Sequence, residues 1–160
     1  MLPTLKEKYD YKKALKSLYS PSAKTPEVIT VPPMQFLVHE GKGNPNDNPA
    51  FDAAVSALYS CAFTIKFTRK KLAMEPDYSV QPLEGLWWVE GSDPAAYLSA
   101  PLDQWRWRLL IGQPDFISAA ELEEAKALIA KKKGEDVEKE LNQVRNATKK
   151  NNAELEKQKK

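Results

Sequence analysis

Residues 49–70 read PAFDAAVSALYSCAFTIKFTRK and contain the clearest periodic pattern in the chain. The preceding Asn48 and the opening Pro49 form a helix start signal, because proline fits the first turn of a helix. Apolar side chains then recur at alternating spacings of four and three residues, the repeat of one helical face. These side chains are Phe51, Val55, Leu58, Ala62 and Ile65. The segment is predicted to be a helix with one buried face.

Strand-like segments flank this helix on both sides. Upstream, residues 27–40 are rich in β-branched and apolar side chains but are interrupted by Pro32-Pro33, which predicts a strand broken by a turn or kink. Downstream, residues 78–89 and 104–111 are also strand-like. The second of these segments alternates: Trp105, Trp107, Leu109 and Ile111 share one face, and Arg106 and Arg108 take the other. The order strand, helix, strand, strand predicts an α+β fold with an antiparallel sheet.

Two further helices are predicted outside this module. Ser118 and Glu121 have the spacing of a capping box, which predicts a helix starting at Ser118. Near the N-terminus, a short amphipathic helix is expected around Tyr11 to Tyr19 and is stopped by Ser20-Pro21. We expect this lead-in to pack lightly on the rest of the fold.

Composition changes sharply near Ser118 and divides the chain. All 15 aromatic residues and all 12 prolines precede residue 119, whereas the C-terminal part is densely charged. We therefore predict an N-terminal lead-in over 1–26, a folded module over 27–133 and a charged helical tail over 134–160. A heptad-like seam runs along this tail: Val137, Leu141, Val144, Thr148, Asn151 and Leu155. Two interpretations of this tail stay open. It can be a solvated helix that frays, or a helix that docks on the module or forms a coiled coil.

Charge and residue usage exclude several classes of function. The 24 Lys and Arg nearly balance the 22 Asp and Glu, so no strong basic field points to nucleic acid as a partner. One Cys and one His supply neither an intrachain disulfide nor a zinc ligand set, so no metal site is expected. The segment Gly41-Lys42-Gly43 lacks the spacing of a phosphate or dinucleotide loop, and no cofactor is expected. Without a signal peptide or membrane-spanning stretch, we predict a cytoplasmic protein with no membrane partner.

Several separated motifs resemble the GyrI-like small-molecule-binding domain family, in particular its stand-alone members. The motifs lie at 10–13, 18–21, 31–32, 41–46, 57–60, 82–88, 105–107 and 113–116, and the resemblance covers residues 10 to about 133. It implies a fold of two tandem strand-helix-strand-strand modules, related by a pseudo-twofold axis, with a ligand groove where they meet. Only the first module is recognisable here, and a tail without aromatic residues or predicted strands follows it.

The best constellation for recognising a ligand is Tyr59, Glu84, Trp87 and Trp88. A carboxylate beside aromatic rings suits a planar, apolar or cationic molecule, because ring faces attract cations and supply apolar area. The resemblance implies that such residues line the groove, and Trp107 and Arg106 are added as candidate lining residues. We expect Tyr59, Glu84 and Trp87 to line one concave face.

Structural roles compete with each of these assignments. Trp87 and Trp88 alternate across a strand, so one of them can be a core residue and Glu84 can be a solvated turn residue. Trp105 and Trp107 can pack in the core, and Arg106 and Arg108 can belong to a solvated strand face.

The resemblance also implies an enzymatic alternative. Some stand-alone members are similar to hydrolases that open the cyclopropane ring of planar alkylating compounds. Glu84 would then position or deprotonate water, and Tyr59 would donate a proton. We expect this activity to be weak or absent, because one module supplies one wall of the site.

A third hypothesis is a protein-interaction module that self-associates as a homodimer or binds a partner through its tail. In such a homodimer each chain would stand in for the other's missing module.

Overall fold

The computed structural model describes residues 8–91, 93–134 and 137–148. Its centre is a four-stranded antiparallel sheet with the strand order β2-β3-β1-β4. The strands are β1 (Gln35–Lys42), β2 (Leu83–Trp88), β3 (Arg106–Gln113) and β4 (Arg145–Thr148). The predicted α+β class and the antiparallel pairing are confirmed.

Five α-helices accompany the sheet in the described residues. They are α1 (Tyr11–Ala14), α2 (Lys16–Tyr19), α3 (Pro49–Lys71), α4 (Ala119–Lys133) and α5 (Glu138–Gln143). Short 3₁₀ turns occupy Ala96–Leu98 and Leu102–Gln104. Helix α3 begins as predicted, since the Asn48 side chain accepts a hydrogen bond from the Ala50 N–H at 3.0 Å. Ser118 and Glu121 form the predicted capping box of α4. Among the helices of the described ranges, none combines the length and the apolar composition that a membrane span requires.

The strands start later than the sequence suggests. Strand β1 begins at Gln35, after Pro32-Pro33, and β2 begins at Leu83, immediately after Pro82. Proline has no N–H to donate to a ladder, so pairing starts only once the prolines are passed. The predicted strand over residues 27–34 is therefore wrong, whereas the paired part extends through Lys42.

The core lies between one face of the sheet and the helices α3 and α4. Trp107, Leu109 and Ile111 alternate toward this face and are almost completely buried. Arg69 of α3 pairs with Glu121 of α4 at 2.7 Å and ties the two helices together. A smaller cluster of Val38, Leu110 and Ala147 lies on the other face of the sheet.

The C-terminal segment docks on the module, but not as one continuous helix. Leu141 of α5 and the adjacent Val144 are buried in the core. The chain then forms β4, which pairs with β1. The helix predicted through Thr148 is therefore wrong after Gln143, and the prediction of a tail without strands is also wrong. Pairing with β4 satisfies the N–H and C=O groups at the edge of β1, which a helix at this position would leave unpaired. Asn151 and Leu155 of the predicted seam lie outside the described residues.

Candidate ligand-binding face

Strand alternation divides the predicted site residues between the two faces of the sheet. Trp87 and Trp107 are paired neighbours on β2 and β3 and face the helices. Glu84 is paired with Leu110 of the opposite cluster, and Trp88 is paired with Arg106, so these residues lie on the outer face. Tyr59 belongs to the helix side. The structure does not form the single concave face expected for Tyr59, Glu84 and Trp87, because the sheet lies between them.

Tyr59 helps to position β2. Its hydroxyl oxygen accepts a hydrogen bond from the Leu83 N–H at 3.1 Å. Its ring stacks on Phe63 of the next helical turn, with centroids 6.2 Å apart. The predicted proton donor is thus on the opposite side of the sheet from the predicted base, Glu84.

Trp107 is a core residue. Only 1% of it is exposed, and it lies between Phe51, at 5.1 Å centroid separation, and His39, at 6.1 Å. Trp87 is half-buried and stacks on Phe51 at 5.9 Å. The assignment of Trp107 to ligand binding is wrong, because the ring offers no surface to a ligand. Trp87 is mainly a packing residue.

Glu84 meets a different tyrosine, Tyr19. The Tyr19 hydroxyl donates a hydrogen bond to Glu84 Oε1 at 3.2 Å. Burial, followed by the nearby Glu84 carboxylate, raises the pKa of Tyr19 to about 12. Tyr19 therefore keeps its proton at neutral pH and remains a donor to the carboxylate.

The N-terminal segment holds Tyr19 in place through Tyr11. The buried Tyr11 hydroxyl donates to the Gln113 carbonyl at 2.5 Å, and the ring meets Tyr19 edge-on at 5.9 Å. A Cβ at Gly112 would lie 3.6 Å from the Tyr11 ring, which places this ring over the outer face. The expectation of a lightly packed lead-in is wrong for Tyr11, which is 3% exposed.

Arginines organise the other end of this face. The buried Arg108 lies over the Trp88 ring, 5.9 Å from its centroid, and pairs with Glu40. Arg106 pairs with Glu90 at 2.5 Å. The solvated-face interpretation is therefore wrong for Arg108, whose guanidinium holds the Trp88 indole.

We define the β2 outer face as the residues Tyr19, Glu84, Leu86, Trp88 and Arg106. Leu86, 48% exposed, lies between Glu84 and Trp88 along the strand. Alternate residues of a strand are ~6.7 Å apart, so the stripe from Glu84 to Trp88 is about 13 Å long. It combines an anionic end, an apolar centre and an aromatic end, an arrangement that can bind a flat molecule of a few fused rings.

Two shallow grooves lie elsewhere, on the two sides of α3. One, of about 440 Å³, lies between α3 and α4 and includes Phe63, Phe67 and Ile129. The other, of about 480 Å³, is bounded by Tyr59, Phe63 and the segment 79–82. Neither is lined by Glu84 or Trp88. Within the described ranges, no three His, Cys, Asp or Glu side chains are arranged to hold a metal ion.

Sequence reasoning missed Tyr11 and Tyr19 as site residues. Both stand in the motifs at 10–13 and 18–21 from which a family resemblance is expected, so a signal was present. Their polar surroundings suggested a peripheral helix, and their contacts with Gln113 and Glu84 span 102 and 65 residues.

Comparison with known proteins yields similar solved structures. No protein-family model matches the chain, and no curated protein matches it. The crystal structure of an uncharacterized conserved protein from Listeria innocua is 38% identical with a TM-score of 0.74, and the alignment covers 88% of this chain and 66% of that one.

Two further crystal structures are described as hydrolases from Listeria innocua. They are 38% and 39% identical, with TM-scores of 0.70 and 0.72. The alignments cover 88% and 89% of this chain and 65% and 66% of the matched chains. This chain therefore spans a little less than two thirds of the proteins it matches, and shares its fold with them over most of its own length.

Proposed function

We propose that the β2 outer face binds planar, cationic or apolar small molecules. The observation that carries the proposal is the position of the half-buried Glu84 carboxylate. Its Oε1 accepts a hydrogen bond from the Tyr19 hydroxyl, and the side chain lies on the same face as Leu86 and Trp88. A partly desolvated carboxylate attracts a cation more strongly than one in water. The GyrI-like resemblance supports the same class of ligand.

Each part of the face has a separate role in this proposal. Leu86 and Trp88 provide the apolar area on which a flat ring system rests. Tyr19 fixes the direction of the Glu84 carboxylate, since it donates to one of its oxygens and leaves lone pairs for the ligand. Arg108 keeps the Trp88 ring in place.

Binding is tested with a planar cationic dye followed by fluorescence anisotropy. Glu84→Gln should weaken binding by about tenfold, which corresponds to about 1.4 kcal/mol. The matched control Glu124→Gln changes an exposed carboxylate of α4 on the helix side and should leave the affinity unchanged. A neutral dye of similar shape should lose affinity in Leu86→Ala but not in Glu84→Gln. Equal affinity of all variants for both dyes would refute the site.

Hydrolysis of a strained electrophile is the second candidate. Two of the similar structures are described as hydrolases. In this reaction a water oxygen would bond to a cyclopropane carbon as the strained C–C bond breaks, and its electrons would move into a conjugated carbonyl. Glu84 would take the water proton and Tyr19 would protonate the carbonyl oxygen. The proton on Glu84 would then return to Tyr19 along the 3.2 Å hydrogen bond.

The hydrolase candidate has its own test. A planar alkylating compound with a cyclopropane ring is incubated with the chain, and the hydrated product is measured by mass spectrometry. Tyr19→Phe and Glu84→Gln should each abolish turnover above the rate in buffer, whereas Tyr59→Phe should retain it. Loss of turnover in Tyr59→Phe alone would restore the sequence-based assignment of the donor. The expectation that turnover is weak stays a prediction.

A further inference from the structure

We propose that two copies of this chain associate through the exposed side of α3. Tyr59, Phe63 and Phe67 stack along successive turns of this helix, with centroid separations of 6.2 and 6.0 Å. Phe63 is 43% exposed and Phe67 is 57% exposed. We call these three residues the α3 ridge. Its apolar rings are on the opposite side of the molecule from the β2 outer face.

The surroundings of the ridge are complementary to the ridge itself. The grooves of about 440 and 480 Å³ run along its two sides. Helices pack by placing the ridge of one into the groove of the other. A twofold axis perpendicular to α3 would place the ridge of each copy across the ridge of its partner with the rings interdigitated, so one surface serves as both halves of the contact.

Charges along α3 select an antiparallel pair of copies. Asp52 is exposed near the start of the helix, and Lys70 and Lys71 are exposed at its end. Asp52, Phe63 and Lys70 fall on one helical stripe, with about 27 Å between Asp52 and Lys70 along the axis. If two α3 helices cross between Tyr59 and Phe63, Asp52 of each copy lies opposite Lys70 of the other. The two helix dipoles are then also antiparallel.

Helix α4 repeats this charge pattern beside α3. Glu124, Leu128 and Lys131 are exposed at successive turns, with the acidic residue near the helix start and the basic residue near its end. Helix α4 runs antiparallel to α3, however, since its Glu121 pairs with Arg69 and its Lys133 lies 3.5 Å from Ser60. The twofold axis near Ser60 therefore does not pair Glu124 with Lys131, and the charge match rests on α3. A second copy of the chain therefore matches α3 in both shape and charge.

The edge of the sheet at β1 is less available for a second copy than the exposed side of α3. The homodimer expected from the sequence would cover a sheet edge and an apolar face, but β4 already pairs with β1. The exposed helical surface is about 34 Å long on α3 and 22 Å on α4, with the axes about 10 Å apart. It offers on the order of 600 Å² per copy, at the lower end of stable interfaces. We expect a dimer that dissociates at low micromolar concentration.

Sedimentation velocity from roughly 1 to 500 µM tests the association, a range chosen to bracket micromolar affinity. The mass should rise from 18.1 kDa to twice that value. Phe63→Glu and Phe67→Glu should each raise the dissociation constant at least ~100-fold, as expected for a central aromatic anchor. The control Leu98→Glu changes an apolar residue elsewhere that is even more exposed and should leave the mass curve unchanged.

A charge exchange tests the antiparallel register. Lys70→Asp should weaken the dimer by about tenfold, because it creates two repulsive pairs across the axis. The double variant Asp52→Lys with Lys70→Asp should return to within about threefold of the unchanged chain. Circular dichroism of each variant checks that its helices are intact.

A monomer at every concentration, or an association abolished by Leu86→Glu and insensitive to Phe67→Glu, would overturn the proposal. Failure of the charge exchange to restore association would refute the antiparallel register. Dye binding measured on Phe63→Glu separates the two proposals, since the β2 outer face should bind the dye whether or not copies associate.

Discussion

Gly41 of β1 provides the sharpest test of the core assigned to Trp107. A Cβ added at Gly41 would lie 2.1 Å from Cη2 and 2.2 Å from Cζ2 of the Trp107 ring. Such contacts are far inside van der Waals distance, so either the ring or the strand must move. The ring has little room, because it is 1% exposed and is bounded by Phe51 and His39. Gly41→Ala should therefore destabilise the pairing between the two inner strands, β1 and β3.

The expected magnitude is at the upper end for overpacking. Added core atoms usually lower the free energy of unfolding by about 1–3 kcal/mol. We expect a loss of about 3 kcal/mol here, because the added Cβ meets rigid ring atoms. In a chain of this length each kcal/mol lowers the melting temperature by about 3 °C, so a fall of about 9 °C is expected. Thermal and urea unfolding followed by far-ultraviolet circular dichroism measure both quantities.

Gly112→Ala is the matched control for this measurement. Gly112 is also in a paired strand, but its added Cβ would meet its nearest atoms at 3.6 Å, an ordinary contact. Its unfolding free energy should stay within about 0.5 kcal/mol of the unchanged chain. Adding Trp107→Phe to Gly41→Ala removes the clashing atoms, so the double variant should be more stable than the two single costs predict. Equal effects of Gly41→Ala and Gly112→Ala, with no coupling to Trp107→Phe, would refute the reasoning.

Three other predictions concern pH and the C-terminal segment. Burial opposes ionisation of Glu121, but the Ser118 N–H and Arg69 outweigh it and lower the pKa of this carboxyl below 4.5. The free energy of unfolding should therefore be full above pH 4.5 and decrease as the pH drops below it. This decrease should be smaller in Glu121→Gln than in Glu124→Gln. Burial and then Glu84 raise the pKa of Tyr19 from 10.0 to about 12, so stability should fall as the pH rises from 10 toward 12. The tyrosinate absorbance difference between the unchanged chain and Tyr19→Phe should show this ionisation, shifted to lower pH in Glu84→Gln. Glu140 Oε2 lies 3.0 Å from His39 Nε2, so Glu140→Ala should reduce hydrogen-exchange protection over 138–148 and leave α3 protected; unchanged protection would contradict a tethering role.

Helix α3 could be predicted because its signals are local. Asn48, Pro49 and the apolar repeat that follows act within a few turns of one another. The capping box at Ser118 is local in the same way. The alternation of Trp107 with Arg106 and Arg108 also follows from one strand. What one strand cannot show is which of its faces the helices cover.

The candidate site depended on that missing information. Glu84 and Trp87 are three residues apart, and in a strand an odd separation places two side chains on opposite faces. Parity alone could therefore have separated Glu84 from Trp87. The partner of Glu84 could not be found in this way, because Tyr19 reaches it across 65 residues of sequence.

Strand β4 shows a second limit of sequence reasoning. Its residues Arg145 to Thr148 include one apolar side chain and have no strong preference for a strand. The surrounding charged segment instead suggests a helix. Pairing with β1, together with burial of Val144 and Ala147, decides the conformation, and these contacts exist only once the sheet has formed.

The most direct test of the proposed function is a residue-resolved titration with a planar cationic dye. Two-dimensional NMR of the labelled chain reports which amides and indole N–H groups change as the dye binds. The largest changes should occur at Glu84, Leu86 and Trp88 of β2 and at Tyr19, and they should be lost in Glu84→Gln. Changes concentrated at Ser60, Phe63 and Ile129, in the groove between α3 and α4, would contradict the account and place small-molecule binding on the helix side of the sheet.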